Sequence, residues 1–271
     1  MGTCFVFLPT MPNVAELEYV VADRVARATI NRPERRNAMS TEVLVGLCDA
    51  VRSAREDPAV QVLVITGAGD TAFCAGADLG GMAESEGAIA SHDGRGLLAE
   101  LFRAMWSLGK PTIARVRGYA LAGGFGLAMA CDFVIAAEDA VFGTPEIGVG
   151  LWPYMITVPL LRSMPPRIAL ELMSTGRRVD AQEAARIGFV NRVVPVDELD
   201  AAVDELAADL ASKSPLVMRL GRDSFYRALE MRADDALAYL QSMLTVTMLS
   251  EDSAEGIAAF REKRAPEWRS R

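Results

Sequence analysis

Gln61-Val62-Leu63-Val64-Ile65-Thr66 is a near-continuous apolar run closed by Gly67-Ala68-Gly69-Asp70, the pattern of a strand covered on both faces. A strand buried on both sides needs layers above and below it, and helical crossovers supply them. The flanking sequence fits. Arg24 to Ile30 reads as a half-buried strand, followed by a turn at Asn31-Arg32-Pro33-Glu34. Ser40 or Thr41 can then cap a helix running to about Arg55, with Val43, Leu44, Leu47, Ala50 and Val51 at helical spacing. Further strands are expected at 112–117 and 133–136, with helical periodicity from Leu97 to Met105 and a short helix from Leu127 to Cys131. Strand–helix units recurring every roughly 25–45 residues predict an α/β fold with right-handed crossovers.

Residues 79–95, with Gly80-Gly81, Gly87 and Asp93-Gly94, are the least regular stretch and predict a mobile loop. From about residue 166 the pattern is almost all helix: Asp180-Ala181-Gln182-Glu183 is a capping box, Gly188 a C-terminal stop, and 189–194 a short strand. The expected organisation is an N-terminal extension over 1–12, an α/β core over 13–200, and a C-terminal helical oligomerisation region over 201–271. Met1 to Leu8 is apolar but short and has no basic residue before it, so neither a signal peptide nor a membrane span is expected; Met11 is an alternative start. A net charge of −8 without a sustained basic run argues against nucleic-acid binding. Cys4, Cys48, Cys74 and Cys131 form no C-x-x-C pair and His92 is the sole histidine, so no metal site is expected. Reduced cysteines fit a cytoplasmic location.

Two turns rich in small residues follow strands: Phe73-Cys74-Ala75-Gly76-Ala77-Asp78-Leu79, and Gly118-Tyr119-Ala120-Leu121-Ala122-Gly123-Gly124-Phe125-Gly126. Small residues let a backbone approach a ligand and turn its N–H groups inward, and a helix starting at Gly124 adds the positive end of its dipole. Either turn alone also fits an ordinary strand–helix connection, and neither is a phosphate loop or a dinucleotide fingerprint. If both amides met on one carbonyl oxygen they would form an oxyanion hole. The third segment, Phe142-Gly143-Thr144-Pro145-Glu146-Ile147-Gly148, sets a carboxylate in apolar surroundings. Glu146 is either a loop surface group or a partly desolvated base with a raised pKa.

This ordered set, together with Asn31-Arg32-Pro33, Asn37-Ala38-Met39 and the closing run Glu255 to Arg264, resembles the enoyl-CoA hydratase/isomerase (crotonase) family over nearly the whole chain. The resemblance implies a crotonase-like β/α core of stacked sheets with a C-terminal helical region, assembled as homotrimers or hexamers. It implies an acyl-CoA substrate and no cofactor beyond the coenzyme A it carries. Ala77 and Gly123 would donate the two oxyanion N–H groups and Glu146 would be the catalytic carboxylate. Arg36, Ala38, the Ala75-Gly76-Ala77-Asp78-Leu79 turn, Gly124, Trp152 and Tyr154 would line the substrate. Phe260 and Lys263 fall where the family places C-terminal CoA contacts, often reaching a neighbouring subunit. Asp78 also reads as a turn or capping residue, Trp152 as packing, and Lys263 as a solvated helix end.

The chain departs from the family's hydratases twice. They carry a second glutamate three residues after the Gly123 position, where this chain has Gly126, and a glycine-rich stretch after Pro153, where it has Tyr154-Met155-Ile156. Both departures favour single-base chemistry. The expectation is therefore double-bond isomerisation of a 3-enoyl-CoA, with 2-enoyl-CoA hydration as the alternative and a non-catalytic acyl-CoA binder as the second. Other reactions sharing the oxyanion hole stay open.

Overall fold

Asp23 and Arg24 both adopt left-handed backbone, with φ of 48° and 68°, a two-residue reversal that matches strand twist. They fold β1 (Leu17–Ala22) antiparallel onto β2 (Val25–Ile30). The structure, a computed structural model, describes residues 16–78 and 88–271, and of 88–95 the backbone alone. The expected N-terminal extension and Leu79 therefore lie outside the described residues.

Helix α1 (Thr41–Glu56) begins where the Ser40 hydroxyl accepts from the Val43 N–H at 3.2 Å, satisfying one orphan donor of its first turn. After it come β3 (Val62–Gly67), β4 (Ala72–Cys74), α2 (Ala88–Trp106), β5 (Thr112–Val116), β6 (Tyr119–Leu121), α3 (Gly123–Ala130), β7 (Phe133–Ala137) and β8 (Val141–Gly143). The chain continues through α4 (Thr157–Ser163), α5 (Pro166–Thr175), β9 (Arg178–Asp180), α6 (Ala181–Ile187), β10 (Arg192–Val194), α7 (Leu199–Ala211), α8 (Pro215–Ala228), α9 (Ala233–Met248) and α10 (Glu251–Glu262). Six strands form one sheet, ordered β1-β2-β3-β5-β7-β10 and parallel from β2 onward; four form a second, ordered β4-β6-β8-β9.

The run at 62–65 is buried on both faces, as its sequence requires. Leu63 and Ile65 pack with Ala114, Val116 and the α1 and α2 side chains Leu47, Val51, Leu101 and Met105. Val62 and Val64 face the other way, with Ile113 and Ile135, onto Leu199, Val203 and Ala207 of α7. Each such Val, Leu or Ile contributes about 1.5–3 kcal/mol by leaving water. Helix α7 thus crosses residue 200, the expected limit of the core, and forms its third layer.

Two sequence expectations need correction. Residues 88–95, read as part of a mobile loop, open helix α2; Gly94 and Gly96 are poor helix formers and dilute its periodicity. Helix α3 begins at Gly123, earlier than either Gly124 or Leu127. All eight of its residues are buried, so it has no polar face and no amphipathic period to read. Among the described residues no helix is long and apolar enough to cross a membrane.

Candidate active site

Strands β4 and β6 run parallel side by side, pairing Ala72 with Tyr119 and Cys74 with Ala120, so their C-terminal ends deliver both small-residue turns to one edge. The first turn is tied down from behind. Met39 donates its N–H to the Gly76 carbonyl at 2.8 Å, and Asp78 donates to the Met39 carbonyl at 3.0 Å. These bonds form a parallel bridge between Met39 and Ala77, and such a bridge turns the middle residue's own N–H to the opposite side. The Ala77 N–H has no acceptor among the described residues, nor has the Gly123 N–H, which heads α3 where the first turn has no intrahelical acceptors.

The two turns touch. A β-carbon placed on Gly76 would lie 2.6 Å from Ala122 Cβ and 3.3 Å from Gly123 N; one on Gly123 would lie 3.7 Å from Ala77 N and 2.7 Å from Met39 Cε. The glycines are thus required by close approach, and Gly76 also by its φ of 103°. Gly124 has its own reason: a side chain there would run into the Cys74 backbone. Ala122 sits at φ 53°, ψ −127°, a corner conformation usually taken by glycine. Two unengaged amides in touching turns, one of them heading a helix, are the donor types that can hold a carbonyl oxygen as it becomes an oxyanion.

Arg32 and Asn37, which the sequence reading named within the resembling segments without a role of their own, stiffen this arrangement. The Arg32 guanidinium donates to the Ala38 carbonyl at 2.7 Å and to the Asp78 carboxylate at 3.0 Å, and pairs with Glu16 at 3.0 Å. Asn37 is fully buried and donates to the Ala72 and Ala68 carbonyls at 2.6 and 2.9 Å. Their sequence signal was membership of the Asn31-Arg32-Pro33 and Asn37-Ala38-Met39 segments, which does not show what either side chain touches. Asp78 is accordingly engaged with Arg32 rather than facing a ligand freely. Ala75 donates to the Arg36 carbonyl at 3.0 Å, which brings Arg36 and Ala38 alongside the first turn.

Glu146 reaches the same neighbourhood through β8, the partner of β6. Gly143 pairs with Leu121 and accepts from the Ala122 N–H at 2.9 Å, and a 3₁₀ turn over Pro145–Val149 then carries the carboxylate. Thr144, fully buried, anchors that turn by donating to the Leu172 carbonyl at 2.8 Å. Glu146 Oε2 is buried without a hydrogen-bond partner among the described residues. Burial raises its pKa above the usual 4.5, opposed only in part by a backbone hydrogen bond. A partly buried carboxyl with no ion-pair partner among the described residues is suited to exchanging a proton.

Position 126 lies one helical turn beyond Gly123. A β-carbon there would stand 2.6 Å from Ile156 Cβ, closer still to Ile156 Cγ2, and 3.3 Å from Phe102 Cζ. Ile156 is 3% exposed, so it fills this space. Trp152 is half-buried against the main core, whereas Tyr154 is 77% exposed. Phe260 is 86% exposed on a groove of about 910 Å³ that also takes in Asp132, Phe133, Arg222 and Trp268, at the far end of α3 from Gly123. Lys263 is the left-handed C-cap of α10. The single chain therefore does not bring Phe260 to the two amides.

The sequence model of the enoyl-CoA hydratase/isomerase family matches residues 21–271. This chain belongs to that family. It is 39% identical over 243 residues to a protein named crotonyl-CoA hydratase from Syntrophomonas wolfei, covering 89% of this chain and 93% of that one. It is 38% identical over 256 residues to a carnitinyl-CoA dehydratase from Salmonella typhi, covering 91% and 95%. The crystal structure of an enoyl-CoA hydratase from Mycobacterium smegmatis superposes with a TM-score of 0.90 at 33% identity, over 93% of this chain and 98% of that chain. The fold is thus the crotonase fold, and the chain is an enzyme of a family that acts on acyl-CoA thioesters.

Proposed function

We propose that this chain isomerises an enoyl-CoA, moving the double bond of a 3-enoyl-CoA into conjugation as the 2-enoyl-CoA. One observation carries the reading: Glu146 Oε2 is buried without a hydrogen-bond partner among the described residues, on the turn that follows β8, while Ile156 fills the space at Gly126. Glu146 removes a proton from Cα. The negative charge moves to the thioester oxygen, which accepts from the Ala77 and Gly123 N–H groups, each worth about 2.7–4 kcal/mol to such a transition state. The same carboxyl returns the proton at Cγ, and the double bond shifts by one position. No metal or redox group is required, because the thioester itself acidifies the α-carbon. Arg36, Ala38 and Ala75 border the first turn on the side where the CoA moiety would lie.

The second reading, hydration of a 2-enoyl-CoA, is favoured by the names of the relatives, which are hydratases and a dehydratase. Separate incubations with 3-enoyl-CoA and 2-enoyl-CoA decide. The expected result is conversion of the first to conjugated product with little loss of the second. Consumption of 2-enoyl-CoA alone, giving a 3-hydroxyacyl product, would reject isomerisation, and binding without turnover of either would identify a non-catalytic binder.

The proposal includes a homo-oligomer, trimer or hexamer. Helix α9 buries none of its residues, and Leu237, Leu244, Met248 and Leu249 stay 62–82% exposed. Apolar surface of that kind calls for a covering partner. Light scattering should give the mass of three or six chains; a monomer at micromolar concentration would refute it.

A further inference from the structure

We propose that Ile156 determines which reaction this site runs, by occupying the volume into which any side chain from position 126 would project. The inference rests on the enoyl-CoA reading with Glu146 as base. Helix α3 offers its first N–H at Gly123, and position 126 shares that face one turn on. Carbon–carbon contacts are comfortable at about 3.5–4.0 Å, so the 2.6 Å and 3.3 Å separations from Ile156 Cβ and Phe102 Cζ forbid even alanine without movement.

Neither neighbour moves easily. Ile156 is β-branched and stiff at χ1. It sits at the start of α4, where Leu160 donates to its carbonyl at 3.1 Å and the Thr157 hydroxyl donates to the Pro153 carbonyl at 2.9 Å. Phe102 is 2% exposed in the core. The two departures from the hydratase pattern, thirty positions apart in the chain, are therefore one feature: glycine at 126 is what isoleucine at 156 permits.

The chemical consequence has two parts. No second carboxylate can stand beside the α3 N-terminus. The space is also lined by hydrocarbon, and a buried water needs two to four polar partners. An enolate formed here meets no activated water on that side, and the proton on Glu146 goes back to substrate carbon.

The test is a double-mutant cycle with two readouts. Gly126→Ala alone should lower Tm by about 5 °C through overpacking. In an Ile156→Gly background the same change should cost little. Gly126→Glu/Ile156→Gly should raise the ratio of 2-enoyl-CoA hydration to 3-enoyl-CoA isomerisation at least about tenfold over Ile156→Gly alone. An equal Tm loss for Gly126→Ala in both backgrounds overturns the steric assignment, whatever the wild type catalyses. So does a folded Gly126→Glu/Ile156→Gly protein with an unchanged ratio. A wild type that hydrates and does not isomerise overturns the functional reading instead, and the Tm cycle then stands as a separate measurement of packing.

Discussion

Glu146→Gln should lower kcat by about 10²–10⁴-fold, the usual worth of a positioned acid–base group, while KM for an enoyl-CoA moves only a few-fold. The amide keeps the shape of the side chain and the 3₁₀ turn that carries it, but cannot take a proton from Cα. The Ala77 and Gly123 amides remain, so substrate still binds. The pH profile follows from the direction of the Glu146 pKa, raised above 4.5 by burial. The base works ionised, so kcat/KM of the wild type should climb as pH rises through that raised value and then level off. Stability runs the opposite way. A carboxyl whose folded pKa exceeds its unfolded one holds its proton longer in the native state. It contributes nothing below the unfolded pKa, and stability falls as pH rises from there through the folded value. Glu146→Gln removes that penalty, so the variant should match the wild type in acid and be the more stable protein at neutral pH. Were Glu146 a loop surface group, neither activity nor the pH dependence of Tm would change.

How much of this was legible depends on whether a residue's role is local. The strand at 62–65 announced itself because burial on both faces needs a continuous apolar run, and Ser40 because a cap works within three residues. The Asp180 cap, accepting from Glu183 N–H at 2.7 Å, and the left-handed Gly188 stop were legible for the same reason. Strands β4, β6, β8 and β9 have three residues each, too few for alternation to register. The two small-residue turns could be read as turns, but their contact arises from the pairing of β4 with β6, which no local pattern encodes. Arg32 is the clearest case. Its three partners, Glu16, Ala38 and Asp78, come from separate segments, so its bracing of the first turn emerges only in three dimensions. Ile156 was noticed only as bulk after Pro153, and its meaning needed Gly126 beside it.

Asp132→Ala should be the most damaging substitution to stability, costing about 3–5 kcal/mol. Asp132 follows α3 and gathers a buried network. It accepts from the Thr112 N–H at 2.7 Å, the Thr112 hydroxyl at 3.0 Å, Arg222 Nε at 2.8 Å and the Tyr226 hydroxyl at 2.5 Å. The Arg222 guanidinium spends its other nitrogens on the Trp106 and Met105 carbonyls at 3.0 and 2.8 Å. The side chains of the pair are only 6% and 12% exposed. Burial first, then the Asp132 charge and its hydrogen bond, push the Tyr226 phenol far above its ordinary value. Removing the carboxylate leaves a buried cation unpaired and three other donors without their acceptor, which outweighs any relief from desolvation. A Tm loss of about 10 °C follows from that magnitude for a chain of this size. Replacing the group with apolar residues together, Asp132→Leu/Arg222→Met/Tyr226→Phe, should recover much of the loss, because the cost lies in the stranded charge rather than in the missing contact. Activity offers an independent check. Asp132 lies at the opposite end of α3 from Gly123, about 12 Å along an eight-residue helix. Asp132→Ala assayed well below its own Tm should therefore keep kcat within a few-fold. A Tm loss under about 3 °C would mean that this network does not hold α8 against the core as its geometry requires.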